Sequence, residues 1–537
     1  MDTKALRQKI LDLAIRGKLV PQDPNDEPAE VLLERIREQK QQMFKEGKLK
    51  KKDIKNDTII FKGEDNLHYE KFQDGTVKCI EDEIPFEVPE GWCWARVRDI
   101  AMVKGGKRLP KGASFSEEIT THAYIRVTDM KNHSVNISNL RYISDEIFSA
   151  IKNYTIAKDD LYVTIAGTIG VVGEIPDKLD GMNLTENAVK ITNIAINKSF
   201  LCIILQTDFV QQQFQDKTHQ VAMPKLALER ILSTLIPICP YVQQLQIVDR
   251  FQICDNFLST IDTEKEELQK IVSLSKYKIL DLAIRGKLVP QDPNDEPASV
   301  ILERIRTEKE ELIKQGKIKR DKKESVIFKG DDNSYYEKID GEVSCIDEEI
   351  PYDIPDTWTW MRLENCCVKE IRRGKSPKYA EISNVIVFAQ KCNTKYNGID
   401  ISLAQYLDKT TIKRYPTDEH MQDGDIVINS TGTGTLGRVG IYRNTDNTTG
   451  LLIVPDSHVT VIRSFSCISS YYLYAFMKAH QTELEKKGEG STNQKELKPL
   501  TLKEMLIAVP PISEQKRINK SINVAFSHLA IIEKCLN

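Results

Sequence analysis

Two stretches of the sequence have the composition of a nucleic-acid contact, with several cations beside glycine or serine. Six basic residues outnumber one acidic residue in 95–112, and six outnumber two in 361–378. Lys and Arg neutralise phosphates, and Arg also pairs bidentately with guanine. The clusters therefore predict DNA contact as groups, with a solvated surface as the alternative for any single residue. The candidates are Lys104, Lys107, Arg108, Lys111 and, further along, Arg126 in the first half, and Arg372, Arg373, Lys375, Ser376 and Lys378 in the second.

A glycine-threonine pattern occurs once in each half and offers hydroxyl groups for the same purpose. It reads Gly-Thr-x-Gly-x-x-Gly at residues 167–173 and at 434–440. Strand-like runs precede it at 161–165 and 425–429, so the pattern predicts two strands joined by a tight glycine turn. A structural hairpin and a loop tip that presents hydroxyls to DNA are the two interpretations. The candidates are Thr164, Thr168, Ser430, Thr431, Thr433 and Thr435.

Motifs that would indicate catalysis or nucleotide binding are incomplete. Residues 432–437 spell a Gly-x-Gly-x-x-Gly fingerprint, but a strand rather than a helix is predicted to follow. Residues 374–376 spell the Gly-Lys-Ser end of a phosphate-binding loop, but Lys369 stands where its first glycine belongs. The sequence also lacks the Asn/Asp-Pro-Pro-Tyr/Phe tetrapeptide of adenine methyltransferases. These departures disfavour an enzyme.

The composition is that of a globular protein with several cores. The chain has 537 residues, a formal net charge of -3 and 40% hydrophobic residues, enough for two to four domains. It shows neither a signal peptide nor an apolar run of the roughly 20 residues that span a bilayer, so we expect a cytoplasmic protein. Eleven cysteines without a Cys-x-x-Cys pair and eight scattered histidines predict reduced core thiols and no metal site.

A repeated frame surrounds the candidate residues. Residues 9–29 recur without a change at 278–298, and the similarity continues to a pair of tryptophans in each half. Beyond these borders, residues 98–236 and 364–508 share little. The chain is therefore a fixed frame with two variable domains. The tryptophans are Trp92 and Trp94 in the first copy, and Trp358 and Trp360 in the second.

The frame contains a coiled-coil pattern. Apolar residues alternate at spacings of four and three, which predicts one long helix over 242–276 and a shorter one at the C-terminus. Residues 4–20 match 273–289, the part that the shorter copy lacks. The repeat is thus circular, and it predicts two long antiparallel helices related by a pseudo-twofold axis.

Charged blocks of opposite sign connect the helices to the variable domains. Nine basic against four acidic residues occupy 31–55, and nine against five occupy 300–323. Nine acidic against two basic residues follow in 64–90, and ten against one in 331–356. A solvated helix end and a phosphate- or partner-binding arm are both open for the basic blocks. We expect the acidic blocks to face away from DNA or to contact a protein, because they repel phosphates.

The chain resembles the specificity subunits of type I restriction-modification systems over essentially its whole length. The phrase Leu-Ala-Ile-Arg-Gly-Lys-Leu-Val-Pro occurs at 13–21 and 282–290, and Pro-x-x-Trp-x-Trp opens each variable domain at 89–94 and 355–360. Similar sequences end the two variable domains, at 236–244 and 509–515. The alternation of variable and repeated regions makes this resemblance specific.

The resemblance implies a non-catalytic subunit that holds partner subunits on double-stranded DNA. Its partners would be two methyltransferase subunits and the restriction subunits that translocate and cut DNA. S-adenosylmethionine, ATP and magnesium would belong to those partners, so this chain is expected to bind no cofactor. Two copies of one surface suit two copies of a partner, although a recent duplication would also explain the internal identity.

The predicted fold class is α+β, with two mixed α/β target-recognition domains joined by two long antiparallel coiled-coil helices in a circular repeat. Two diverged domains suit a bipartite, asymmetric DNA target with an unread spacer. If both domains read one face of the duplex, the half-site centres are expected about one turn, roughly 10 bp, apart. A coiled-coil scaffold without sequence-specific DNA binding is the alternative. The predicted boundaries are 1–84 for the N-terminal repeated region, 85–240 for the first recognition domain, 241–350 for the central repeated region, 351–511 for the second recognition domain and 512–537 for the C-terminal helix.

Overall fold

A computed structural model describes residues 2–215, 225–318, 320, 325–395, 398–432, 434–489 and 495–536. The chain forms two compact units, Met1–Lys265 and Glu266–Asn537. The boundary falls within one long helix, α9. Both units combine helices with small sheets, which confirms the predicted α+β class.

Unit 1 begins with helices of the repeated frame and continues into the first variable domain. Its helices are α1 (Thr3–Ile15), α2 (Ala29–Lys45), α3 (Lys51–Ile54), α4 (Val97–Ile100), α5 (Asp145–Ile151), α6 (Lys198–Leu205), α7 (Asp208–Gln215), α8 (Leu228–Leu232) and the start of α9 (Tyr241–Ile284). Its strands are β1 (Ile59–Lys62), β2 (His68–Lys71), β3 (Val77–Cys79), β4 (Cys93–Arg96), β5 (Met102–Gly105), β6 (Ala123–Ile125), β7 (Met130–Lys131), β8 (Ser134–Val135), β9 (Arg141–Tyr142), β10 (Thr155–Ile156), β11 (Leu161–Thr164), β12 (Val172–Glu174), β13 (Met182–Leu184), β14 (Ala188–Thr192) and β15 (Leu235–Ile238).

Unit 2 contains the remaining helices and strands. Its further helices are α10 (Ser299–Lys314), α11 (Ser470–Ala479), α12 (Gln481–Lys486), α13 (Pro499–Lys503) and α14 (Ile512–Leu536). Its strands are β16 (Ser325–Lys329), β17 (Tyr335–Ile339), β18 (Glu342–Cys345), β19 (Thr359–Arg362), β20 (Tyr379–Ala380), β21 (Val385–Phe388), β22 (Gln405–Leu407), β23 (Ile426–Asn429), β24 (Val439–Ile441), β25 (Leu452–Pro455), β26 (Val459–Ile462) and β27 (Leu506–Val509).

Helix α9 is longer than the sequence indicated. The apolar spacing predicted 242–276, whereas the helix has 44 residues and continues through the repeated phrase to Ile284. It ends just before Gly286, whose φ of 68° is a left-handed conformation that favours glycine. Helix α1, the other copy of the phrase, ends in the same way before Gly17, with a φ of 64°.

In unit 1, helix α1 packs antiparallel to the first part of α9. Thr3 Oγ1 donates to Asp262 Oδ1 at 2.6 Å, and Arg7 Nε donates to Asp255 Oδ1 at 2.7 Å. As α1 advances by four residues, its partners on α9 move back by seven, so the two helices run in opposite directions.

In unit 2, the last part of α9 takes the place that α1 has in unit 1, and α14 takes the place of its partner. Lys276 Nζ donates to Glu533 Oε1 at 2.7 Å, and Arg517 Nη2 donates to Asp295 Oδ2 at 2.6 Å. The pairing is again antiparallel. The same pair of helices is thus assembled twice, which is how the circular repeat is realised in the fold.

The variable domains share the central strand pairings of their sheets, although their sequences and their edge strands differ. In unit 1 the sheets have the strand orders β12-β11-β14-β5 and β10-β13-β6-β9, with β6 and β13 parallel. In unit 2 the orders are β24-β23-β26 and β20-β22-β21-β25, with β21 and β25 parallel. Strands β4 and β15 pair at the border of the first domain, as β19 and β27 do at the second. The frame and the domain also share one buried core within each unit.

A buried tryptophan N–H joins the frame to each variable domain. Trp92 Nε1 donates to Gln22 Oε1 and to Gln243 Oε1, both at 2.9 Å. Trp358 Nε1 donates to Glu514 Oε2 at 2.9 Å, and Gln291 Nε2 donates to Glu514 Oε1 at 2.6 Å. We call these contacts the tryptophan nodes, formed by Gln22, Trp92 and Gln243 in unit 1 and by Gln291, Trp358 and Glu514 in unit 2.

The two nodes differ in one side chain, which predicts a difference in their response to pH. Burial raises the pKa of Glu514 above its ordinary value of 4.5, although the bonds from Trp358 and Gln291 oppose the shift. The folded state therefore holds this proton more tightly than the unfolded state. The contribution of Glu514 to the free energy of unfolding is therefore fully present below pH 4.5. This contribution is lost as the pH rises from 4.5 through the raised pKa.

Glu514→Gln, which introduces the amide that unit 1 has at Gln243, should remove this loss. Urea unfolding of the full chain at pH 4.5 and pH 7.5 should show the variant gaining on the wild type at the higher pH. The exposed Glu504→Gln is the matched control and should show no such change. A difference between Glu514→Gln and wild type that does not depend on pH would contradict the assignment.

Candidate nucleic-acid interface

Three loops of the first variable domain meet at the ends of the strands β5, β11 and β14. Gly106 N donates to Ala188 O at 3.1 Å, and Lys107 N donates to Leu184 O at 2.9 Å. Ile165 N donates to the Asn187 carbonyl at 2.8 Å. These backbone bonds fix the basic turn, the glycine-threonine loop and the loop before β14 against each other. We call residues 106–111, 165–171 and 185–187 the three-loop cluster of unit 1.

Unit 2 builds the same cluster from residues 374–378, 430–432, 434–438 and 456–458. Gly374 N donates to Val459 O at 3.0 Å, and Ser430 N donates to the His458 carbonyl at 2.8 Å. Gly374 therefore matches Gly106, and a lysine follows each of these glycines. The basic clusters and glycine-threonine patterns, which the sequence treats as separate features, are neighbours in both units.

A glycine is required in each unit where the turn with the basic residues crosses the loop that precedes β14 or β26. A Cβ on Gly106 would lie 2.1 Å from the carbonyl oxygen of Thr185, and one on Gly374 would lie 2.3 Å from that of Asp456. Both neighbours are backbone atoms, which a rotamer change cannot move. A buried tyrosine also holds the first turn: burial raises the pKa of Tyr124 to about 12, and its hydroxyl donates to Lys107 O at 2.7 Å.

The predicted cations of the first turn are accessible. Lys104, Lys107, Arg108 and Lys111 are all exposed. Lys107 Nζ lies 5.4 Å from the ring centre of Tyr154, and Arg108 Nε donates to Glu186 Oε1 at 2.9 Å while its side chain stays 79% exposed.

Arg126 is engaged within its own domain. Its guanidinium donates to both carboxylate oxygens of Asp129, at 3.0 Å and 2.6 Å, and to the Asn139 carbonyl at 2.8 Å. Asp129 is buried, so releasing Arg126 to bind DNA would leave an unpaired buried carboxylate. DNA contact by Arg126 stays a prediction, and it would compete with this ion pair.

The glycine-threonine loop of unit 1 contains one buried and one accessible hydroxyl. Thr164 is fully buried: its Oγ1 donates to the Thr168 carbonyl and accepts from Val171 N at 2.9 Å. This side chain closes the hairpin and cannot be presented to DNA, which corrects the prediction for Thr164. Thr168 is exposed at the loop tip and remains a candidate.

In unit 2 a buried carboxylate neutralises much of the predicted cation cluster. Glu419, whose side chain is 3% exposed, accepts from Lys369 at 3.0 Å and from Arg372, and it lies 3.7 Å from Lys375. This pairing has no local signal in the sequence, because Glu419 follows Arg372 and Lys375 by more than forty residues. Arg372 and Lys375 thus serve first as partners of Glu419, and reversing their charge would disrupt the fold.

The remaining candidates of the second turn are Arg373, Ser376 and Lys378. Arg373 pairs with Glu496 at 3.0 Å, and Lys378 pairs with Asp408 at 3.1 Å while its side chain stays 69% exposed. Ser376 is exposed. The second turn therefore offers fewer unengaged charges than its composition suggested.

The hydroxyl groups of the second glycine-threonine loop are mostly used inside the domain. Ser430 is fully buried, and its Oγ lies 2.7 Å from Thr460 Oγ1, which corrects the prediction that it reaches DNA. Thr435 is half-buried and donates to the Thr431 carbonyl at 3.2 Å. Thr431 is half-buried and remains a candidate. Thr433 lies outside the described residues.

Two further candidates emerge from the geometry. Asn187 and His458 occupy matching exposed positions at the centre of each three-loop cluster. The Nδ1 atom of His458 lies 2.7 Å from Thr431 Oγ1, so the two loops are joined at their tips. Only the shared topology identifies this pair, because the surrounding sequences differ.

The described part of the chain holds no group of three or more His, Cys, Asp or Glu side chains placed to bind a metal ion. All eleven cysteines are free; six are buried, whereas Cys79, Cys345 and Cys535 are exposed. The strand β24 follows the Gly-x-Gly-x-x-Gly fingerprint of residues 432–437, as predicted. Among the described residues, no helix has the length and apolar character needed to cross a membrane.

Comparisons with known proteins agree on one family. The model of the type I restriction modification DNA specificity domain matches residues 89–271 and 355–537. The chain is 25% identical to the specificity subunit of the Escherichia coli type I restriction enzyme EcoEI, over 97% of this chain and 89% of that relative. It is 29% identical to the EcoAI specificity subunit of the same species, over 67% of this chain and 62% of the relative.

Solved structures with similar chains include the HsdS subunit from Thermoanaerobacter tengcongensis. That alignment covers 84% of this chain and 93% of the other, with 16% identity and a TM-score of 0.45. A chain from a study of complex assembly and conformational transition in the type I R-M system aligns over 84% and 94%, with 15% identity and a TM-score of 0.49.

The close approach of Gly106 to the Thr185 backbone predicts that substitutions of Gly105 and Gly106 differ in their effect on stability. Gly106→Ala should lower the free energy of unfolding by about 1–3 kcal/mol, because its Cβ must displace the Thr185 backbone. Gly105→Ala is the matched control, since a Cβ there meets no atom within 4 Å. Urea unfolding gives the stabilities, and hydrogen exchange at Lys107 N reports the local opening. Equal effects of the two substitutions would contradict this role of Gly106.

Proposed function

We infer, because this chain belongs to the type I restriction-modification DNA specificity family, that its three-loop clusters are the surfaces that read DNA. The chain is the DNA sequence-specificity subunit of a type I restriction-modification system. The observation that carries the inference is the repetition of one cluster, in one topology, with different side chains. A shared scaffold with different side chains is what reading two different sequences requires.

Each variable domain would read one half of a bipartite target. The first cluster presents the charged turn with Lys107, Arg108 and Lys111, whereas the second presents Ser376 and Lys378. Asn187 and His458 stand at matching positions and offer different hydrogen-bonding groups, an amide in one domain and an imidazole in the other. The two halves of the target should therefore differ in sequence.

The paired helices would set the length of the unread spacer. Helix α9 has 44 residues, which corresponds to about 66 Å at 1.5 Å per residue. The tryptophan nodes join each variable domain to the start of its long helix by buried hydrogen bonds. A helix and a rigid border hold a domain at a defined position. If both domains read one face of the duplex, the half-sites should lie about one turn, roughly 10 bp, apart.

The long helices also offer apolar side chains for partner subunits. In α9 the side chains of Ile253 and Phe257 are 60% and 71% exposed, and in α14 those of Val524 and Ile531 are 50% and 62% exposed. Exposed apolar side chains of this size mark interaction surfaces. We assign them to two methyltransferase subunits, which would flip and methylate adenine and would bind S-adenosylmethionine.

The remaining chemistry is assigned to other subunits of the assembly. Restriction subunits would join the methyltransferase on DNA and would use ATP and magnesium to translocate and cut. This chain would contribute position and sequence choice to both reactions and would bind no cofactor itself. A coiled-coil scaffold without sequence-specific DNA binding explains the helices but leaves the two matched clusters without a role.

Charge reversal in the first cluster tests the DNA-reading role. Lys107→Glu combined with Lys111→Glu should weaken retention of target DNA by the chain assembled with its methyltransferase subunits about tenfold or more at 0.15 M salt. The substitutions place acids where phosphates would lie and remove no partner of a buried carboxylate. A gel-shift titration over several salt concentrations measures the effect.

Lys158→Glu combined with Lys178→Glu is the matched control. These exposed lysines flank the open end of the β11–β12 hairpin, away from its glycine-threonine loop. The control should retain DNA as the wild type does. Unchanged retention by both double variants would favour the scaffold alternative.

A further inference from the structure

Each unit carries a small antiparallel sheet that the DNA-reading role does not use. The sheet has the order β1-β2-β3 in unit 1 and β16-β17-β18 in unit 2. One face of it points outwards because side chains alternate along a strand. Phe61 lies opposite Tyr69, which lies opposite Cys79.

The outward face is assembled in the same way in both units. Phe328, Tyr336 and Cys345 repeat the three residues of unit 1 in the same register. The phenylalanine and tyrosine rings stack with centroids 5.9 Å apart in both cases. The tyrosine hydroxyl donates to an aspartate of the preceding turn, at 2.7 Å to Asp65 and at 2.8 Å to Asp332.

Apolar side chains remain accessible on this face. Phe61 and Phe328 are 39% and 42% exposed, and the edge-strand residues Val77 and Val343 are 49% and 54% exposed. We call these residues the outward sheet face: Phe61, Tyr69, Lys71, Val77 and Cys79 in unit 1, and Phe328, Tyr336, Lys338, Val343 and Cys345 in unit 2.

Exposed positions beside this face have changed between the two sheets, whereas the five named residues of the face are of the same type in both units. Leu67 corresponds to Ser334, Thr76 to Glu342, and Lys78 to Ser344. All six of these residues are exposed or half-buried. Val77 and Cys79 are retained, whereas Thr76 and Lys78, which adjoin them in the chain, have changed. A duplication that had no binding role to preserve would allow all four residues to change equally readily.

The opposite face is anchored to the recognition domain by a buried ion pair. Arg96 Nη2 lies 2.8 Å from Glu70 Oε2, and Arg362 Nη2 lies 2.7 Å from Glu337 Oε2. Each arginine belongs to the first strand of its variable domain, β4 or β19. The outward sheet face is thus held at a fixed place relative to that strand.

The margin of the face is acidic in both units. Residues 64–90 contain nine acidic against two basic residues, and residues 331–356 contain ten against one. Asp65, Asp82, Asp332 and Glu348 are among the exposed acids. Such a margin repels DNA phosphates and also a second copy of the same face, whereas it attracts a basic protein surface.

We propose that the outward sheet face is a docking surface for the methyltransferase subunit, one copy on each unit, through a contact that is apolar at its centre and basic at its margin. The proposal rests on the proposed function for the identity of the partner and adds a second contact to the long helices. Two identical faces accept two identical subunits. The acidic margin favours a partner surface that is positively charged.

The test compares variants that carry a new lysine on the outward sheet face with variants that carry it beside the face. Val77→Lys with Val343→Lys places a cation at the centre of each face, whereas Thr76→Lys with Ser344→Lys adds the same charge at exposed neighbouring positions of the same segments. Lysine already occurs at Lys78, the counterpart of Ser344, so the control is compatible with the fold. Thermal unfolding of each full-length variant should match the wild type.

Titration with purified methyltransferase subunit, followed by analytical ultracentrifugation, gives affinity and stoichiometry. Val77→Lys with Val343→Lys should weaken binding at least about tenfold, and Val77→Lys alone should leave one tight and one weak site. The control double variant should bind two subunits as the wild type does. Wild-type affinity should also fall as salt rises, because the margin contributes charge attraction.

Equal methyltransferase binding by the two double variants would overturn the proposal, and so would a loss confined to the restriction subunit or to self-association of the chain. These results leave the DNA-reading role intact, because that role is tested by reversals in the three-loop cluster. A different result would contradict the DNA-reading role and retain the docking surface. In that case the charge reversals in the three-loop cluster would leave DNA retention unchanged, whereas Val77→Lys with Val343→Lys would lose methyltransferase binding.

Discussion

The fold depends on a hydrogen bond that the buried indole N–H of Trp92 or Trp358 donates at the entrance of each recognition domain. A buried indole N–H needs an acceptor, since leaving it unsatisfied costs about 1–3 kcal/mol. The acceptors come from the long helix, at Gln243 or Glu514, and in unit 1 also from the repeated phrase, at Gln22. The bond therefore forms only when frame, helix and recognition domain are all in place. A defined spacer in the DNA target requires this rigidity.

The frame was largely predictable from the sequence, because its signals are local and occur twice. The identical segments, the four tryptophans and the alternating apolar spacing indicated two repeated helical pairs before any coordinate was known. The end of α9 was placed too early because the apolar pattern fades after Val272, while the helix continues to Ile284. Its actual end follows from Gly286, a backbone signal that apolar spacing does not contain.

The DNA-reading surface was only partly predictable, because its charges depend on residues far apart in the chain. The exposed turn with Lys107 and Lys111 agrees with its composition, but the matching turn of unit 2 is neutralised by Glu419. Thr164 and Ser430 are of a residue type that contacts DNA, yet both are buried at strand ends. Composition predicts which residue types are present near a loop, whereas the register of the strands decides which of them reach the surface.

The central claim is that one chain selects a two-part DNA sequence for methylation by its partners. The most direct measurement is base-resolution mapping of N6-methyladenine in cells that contain the methyltransferase subunit, with and without this chain. The account predicts that one gapped motif, with two different halves and a fixed spacer, loses its methylation when the chain is removed. An unchanged methylation map, in cells where the methyltransferase subunit is present and active, would contradict it.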